Sequence, residues 1–83
     1  MKIYAIDLDG TLGRQGKPIR KNINKCNKLY DGKFNFIIIY TARNESTRKE
    51  TIEYLKKLGV NYHLLVMEKL KADVYIDDRS IKW

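Results

Sequence analysis

The sequence predicts an α/β domain built on a parallel sheet, and three observations carry that expectation. Residues 3–6 and 34–40 are apolar at both alternating positions, the pattern of strands buried on two faces. Each run is followed by a stretch with helical spacing of its apolar residues, the crossover that a parallel neighbour requires. The chain has 83 residues, which bounds it at a single domain, 1–83, with a thin core. Hydrophobic residues make up 43% and charged residues 33%, enough apolar material to offset the entropy of ordering.

The elements follow in order. Residues 3–6 form the first strand, ending in Asp7-Leu8-Asp9-Gly10-Thr11. From Pro18 the apolar positions fall at Ile19, Ile23, Cys26 and Tyr30, one stripe of a helix. Pro18 suits the first helical turn, and Gly32 the left-handed position past the end. Residues 34–40 make the second strand, closing in Thr41-Ala42-Arg43. Thr47-Arg48-Lys49-Glu50 reads as a capping box, with Asn44 an alternative start one turn earlier. Ile52, Leu55 and Leu58 are its expected inner stripe, and Gly59 its end. Residues 62–67 and 72–76 are a third and a fourth strand, the last running into Asp77-Asp78.

The chemistry lies at the strand ends. Asp7 and Asp9 are two apart, so on an extended chain they point one way while Leu8 points into the core. Gly10 then allows a sharp departure. Ligands of parallel α/β sheets bind outside the carboxyl ends of the strands. Adjacent strands would gather Asp7/Asp9, Thr41/Arg43 and Asp77/Asp78 at one edge. Carboxylates gathered there repel one another unless a hard cation sits among them, and oxygen ligands of this kind select Mg²⁺. The net charge of +7 favours an anionic partner, yet four of the ten acids sit in these two doublets. The rest of the surface is correspondingly more basic, as suits a cation site facing an anionic substrate.

Asp7-Leu8-Asp9-Gly10-Thr11 resembles the first motif of the haloacid dehalogenase (HAD) superfamily. Thr41 matches its second motif, a lysine near 69–71 its third and Asp77-Asp78 its fourth, in the family's order across nearly the whole chain. The resemblance implies a minimal HAD-type, Rossmann-like sheet of about four strands in the order 4-1-2-3, with two helices and no cap domain. It implies a phosphatase. Asp7 would be the nucleophile that forms an aspartyl-phosphate, and Asp9 the general acid and then base. Thr41 would bind a phosphoryl oxygen, with Gly10 and Thr11 beside the substrate. Asp7, Asp9 (through its backbone carbonyl), Asp77 and Asp78 would hold Mg²⁺. Relatives often read Gly-Lys-Pro-x-Ala-Asp at the third motif. Here Glu68-Lys69-Leu70-Lys71-Ala72-Asp73 aligns Lys69, with Lys71 its competitor, and Glu68 would place a negative charge beside the site.

Other residues take blander roles. Arg43 suits a second anionic group on the substrate or, equally, a surface ion pair near the next helix. Arg14 and Gln15 fall where the family carries a mobile flap. Arg79 suits a pair with a nearby acid, His63 a packed and satisfied place in a strand, and Cys26 the core. A single cysteine and no secretory segment imply a reducing cytoplasm.

Both helices would lie on one face of the sheet, leaving the other apolar face uncovered. A homo-oligomer that buries that face or the edge of the fourth strand is therefore expected, with Trp83 available to the contact and a neighbouring subunit able to stand in for the cap. The favoured substrate is a small phosphorylated metabolite such as a sugar phosphate. A nucleotide or nucleic-acid end phosphatase, and a non-catalytic binding or assembly module, are the alternatives.

Overall fold

A computed structural model describes residues 1–69 and 72–74. In chain order the elements are β1 (Lys2–Asp7), β2 (Gly13–Arg14), β3 (Lys17–Pro18), α1 (Arg20–Tyr30), β4 (Asn35–Tyr40), α2 (Arg48–Leu58) and β5 (Leu64–Val66). A 3-10 turn, Glu45–Thr47, leads into α2. The expected α/β architecture is present as a three-stranded parallel sheet, ordered β1-β4-β5, with a separate two-stranded hairpin.

The register divides the sheet into two faces. Tyr4 pairs with Ile37, Ile6 with Ile39, and Ile39 with Leu65. These residues join Ile23 and Cys26 of α1 and Leu55 and Leu58 of α2 in one core, so both helices cover the same face. Leu8, Leu12, Ile37, Ile39 and Leu55 are wholly buried, and each such side chain contributes about 1.5–3 kcal/mol. Ile3, Leu64 and Val66 point the other way and are 61%, 45% and 41% exposed. Ala5 shares that face and is exposed, whereas Phe36, Ile38 and Tyr40 are half-buried.

Several local expectations are corrected. Pro18 is not in the first helical turn; it ends β3, and Ile19 precedes α1 without a side-chain cap. The segment after the first motif is a hairpin pairing Gly13 with Pro18 and Arg14 with Lys17. Its turn residues Gln15 and Gly16 have φ of 52° and 76°, the all-positive pattern of a type I′ turn. Gly32 does not adopt the left-handed conformation. The Leu29 carbonyl is satisfied instead by the Gly32 N–H at 3.1 Å and the Asn35 side-chain amide at 3.0 Å.

The capping box at Thr47 does not form, since its side chain caps nothing in α2. Asn44 caps the 3-10 turn that leads into α2, accepting from Ser46 N–H at 2.9 Å. Thr51, not Ile52, completes the inner stripe of α2: Thr51 is fully buried and Ile52 is 42% exposed. Gly59 ends α2 as expected, with φ 79°. Val60 N–H donates to the Leu55 carbonyl and Gly59 N–H to that of Lys56, the Schellman arrangement. The third strand is shorter than residues 62–67. Of the fourth, residues 72–74 are irregular, and 75–76 lie outside the described residues, as do Lys71, Asp77, Asp78, Arg79 and Trp83. No helix among the described residues is long and apolar enough to cross a membrane.

Candidate active site at the carboxyl edge of the sheet

β1 and β4 run parallel and in register, with Asp7 opposite Tyr40, so their carboxyl ends emerge together. The chain leaves β1 through a tight loop. Thr11, Leu12 and Gly13 amides all donate to the Leu8 carbonyl, at 3.2, 2.9 and 3.3 Å. Gly10 allows that turn with φ 87°, a value an L side chain rarely takes. Leu8 is buried in the core as expected, and Asp7 and Asp9 flank it at the surface. Asp7 is half-buried, and one of its oxygens accepts from Leu8 N–H at 2.9 Å.

Three of the expected residues meet directly. Arg43 grips Asp9 with two nitrogens, Nε to Oδ2 at 3.0 Å and Nη2 to Oδ1 at 2.8 Å. The Thr41 hydroxyl, only 1% exposed as a residue, donates to Asp9 Oδ2 at 3.3 Å. The same hydroxyl oxygen accepts from Arg43 N–H at 3.2 Å. Thr41 thus both receives the loop and fixes the acid. The hydrogen bond to Asp9 holds the Arg43 guanidinium above its ordinary value, against a smaller lowering by burial. The pair is open to water, with side chains 32% and 53% exposed, so it is worth about 0–1 kcal/mol.

The third-motif loop packs against this edge. Lys69 N–H donates to the Thr41 carbonyl at 2.8 Å, and Glu68 N–H to that of Arg43 at 2.9 Å. The Lys69 ammonium lies over the Tyr40 ring, 4.3 Å from its centroid, beside the strand position that faces Asp7. Glu68 lies beside the site, bonded to the Arg43 carbonyl. Its carboxylate accepts from Glu45 N–H at 2.9 Å, at the start of the 3-10 turn, so it is engaged there. Its φ of 59° is a backbone conformation that glycine adopts more readily.

Asp7 offers the hard oxygen that magnesium takes. Among the described residues no group of three His, Cys, Asp or Glu is placed to hold a metal, and the expected Asp77 and Asp78 lie outside them. The donor chemistry of Asp7 and Asp9 fits a hard cation as far as those two residues go.

Thr51 and Tyr54 had no place in the sequence-based site. Arg43 Nη1 donates to Thr51 Oγ1 at 3.5 Å, and its Cζ lies 4.9 Å from the Tyr54 ring centroid. The available signal was the spacing of Thr51 with Leu55 and Leu58, which puts a polar residue on the inner stripe. Arg14 folds back onto the Gly10 carbonyl at 3.3 Å. His63 is satisfied as expected. Its Nδ1 accepts from Ile37 N–H at 2.9 Å, and its ring stacks on Tyr30 and Phe36. Cys26 is in the core, and burial pushes its thiol up.

The chain is similar to the crystal structure of a structural-genomics target from Vibrio cholerae. The two share 28% of residues at a TM-score of 0.74, over 96% of this chain and 82% of that one. The fold is a shared one. No protein-family model matches the sequence, and no curated protein matches it either.

Proposed function

We propose that the chain is a magnesium-dependent phosphomonoester phosphatase of the HAD type, with one capless domain and a full strand order of 4-1-2-3. The observation that carries this reading is the meeting of Asp9, Thr41 and Arg43 beside Asp7 at the carboxyl edge of β1 and β4. Lys69 sits one loop away on the backbone of Thr41.

In the proposed reaction an Asp7 oxygen attacks phosphorus. The bond from phosphorus to the leaving oxygen breaks, and that oxygen takes its electron pair and a proton from Asp9. Asp9 then removes a proton from water, which attacks the aspartyl-phosphate and restores the Asp7 carboxylate. Two Arg43 nitrogens hold the Asp9 carboxylate, so the acid role requires the guanidinium to let it go. A phosphate at the same rim offers it two oxygens in exchange. Thr41 would turn its hydroxyl to a phosphoryl oxygen, and the Gly10-Thr11 loop would border the substrate. Lys69 would balance the charge of Asp7 and phosphate. Asp7, the Asp9 carbonyl, Asp77 and Asp78 would hold Mg²⁺, which would neutralise phosphate charge so that an anionic nucleophile can approach.

The favoured substrate is a small phosphorylated metabolite such as a sugar phosphate, and the proposed setting is the cytoplasm. A second copy of the chain is the proposed cover for the outward face of the sheet and substitute for a cap. The +7 charge supports a second reading, an end phosphatase for nucleotides or nucleic acid. Oligonucleotide affinity that falls steeply with salt would favour it. The main test is release of p-nitrophenol from its phosphate ester. Turnover is expected with Mg²⁺, and loss of at least a thousandfold with a chelator or in Asp7→Asn. Full activity in Asp7→Asn would end the reading.

A further inference from the structure

Tyr54 of α2 touches two parts of the rim, Arg43 and the loop after β1, yet takes no part in the proposed chemistry. The Arg43 Cζ lies over its ring, 4.9 Å from the centroid. Its hydroxyl end packs against Gly13, where an added Cβ would collide with the Tyr54 oxygen. Gly13 opens the hairpin, bridges to Asp9 and accepts from Gly10 N–H at 2.8 Å. One ring therefore joins α2, the arginine and the loop that carries Asp9.

The contacts of Arg43 differ in permanence. Its bonds to Asp9 are exposed on both sides, and another anion can replace such a pair in water. The ring contact needs no counter-charge and stays available while the fork changes partner. A long arginine side chain otherwise keeps rotamer freedom that binding must remove.

We propose that Tyr54 is a positioning residue that holds the Arg43 guanidinium at the rim while it passes from Asp9 to a substrate phosphate. The inference rests on the phosphatase reading and assigns to Tyr54 the affinity for phosphate, not the rate of the chemical step. An exposed cation–π contact corresponds to about a two- to fivefold change in binding.

The test is steady-state kinetics with p-nitrophenyl phosphate and Mg²⁺. Tyr54→Leu is expected to raise KM about two- to fivefold with kcat held within twofold, and Tyr54→Phe to keep the wild-type KM. In an Arg43→Gln background, Tyr54→Leu is expected to add nothing further. Additive effects, an equal loss in both Tyr54 variants, or a fall in kcat at constant KM would overturn the proposal. A measurement without variants or turnover separates it from the phosphatase reading. Titrating phenylphosphonate into wild-type protein is expected to move the Arg43 Nε–H resonance while the ring-current shift of the Arg43 side-chain protons persists. An unmoved Nε–H, or loss of the ring-current shift, defeats the assignment of Tyr54 even if turnover is seen. If those shifts occur but no turnover does, the phosphatase reading alone fails.

Discussion

At the scale of single residues, Thr41 has the most crowded role. It is buried, and its hydroxyl serves Asp9 and the Arg43 amide at once. Thr41→Val keeps the shape and removes both bonds. We expect about a tenfold loss of kcat/KM on p-nitrophenyl phosphate, and about 1 kcal/mol of stability lost in urea unfolding. Cys26 gives a prediction with a sign. Burial raises its folded value above the ordinary 9.0, so folding favours the neutral thiol. The contribution is complete below the unfolded value and is lost as pH rises through the folded one. Stability should therefore fall above about pH 9 in wild type, and less steeply in Cys26→Ala, in urea melts across that range. Iodoacetamide should modify the folded thiol far more slowly than the unfolded one.

At the scale of elements, two helix boundaries can be tested. A Cβ at Gly59 would meet only the Arg20 guanidinium, at an ordinary 4.0 Å, but φ is 79°, so Gly59→Ala should cost about 1–2 kcal/mol through backbone conformation. Asn44→Ala should cost about 1 kcal/mol by leaving the Ser46 amide without its side-chain acceptor. Chemical denaturation reads both. These elements also show what the sequence made legible. The strands at 3–6 and 34–40 are legible because apolar runs, the second broken only by Asn35, leave few other places to go. Gly10 and Gly59 were readable because each stands where a run ends. The hairpin is not legible, because its strands have two residues each, too few for periodicity, and Gln15-Gly16 is a weak turn signal. Thr51 is not legible as core, because a threonine on the buried stripe looks polar until its hydroxyl finds the Thr47 carbonyl at 2.9 Å. The bond between Asp9 and Arg43 joins residues 34 apart, and no local pattern encodes it.

At the scale of the whole molecule, the outward face of the sheet is the feature to explain. Ile3, Leu64 and Val66 are exposed on the side away from both helices, where the proposed second copy of the chain would cover them. Light scattering on a sizing column is expected to give a multiple of the monomer mass at micromolar concentration. Ile3→Lys with Val66→Lys should shift it to the monomer, whereas a monomeric wild type would remove the proposed second copy. One feature of the opposite rim bears on motion. The stretches after β4 and β5 are laced together by the Lys69, Glu68 and Glu45 amides, each donating to the other stretch. Bound in this way, they swing as one piece or not at all. Among the described residues, breathing that admits a guest is then expected of the hairpin after β1, residues 13–18, whose two strands form a sheet of their own. Deuterium should enter the amides of Arg14 and Gln15 well before those of Glu68 and Lys69.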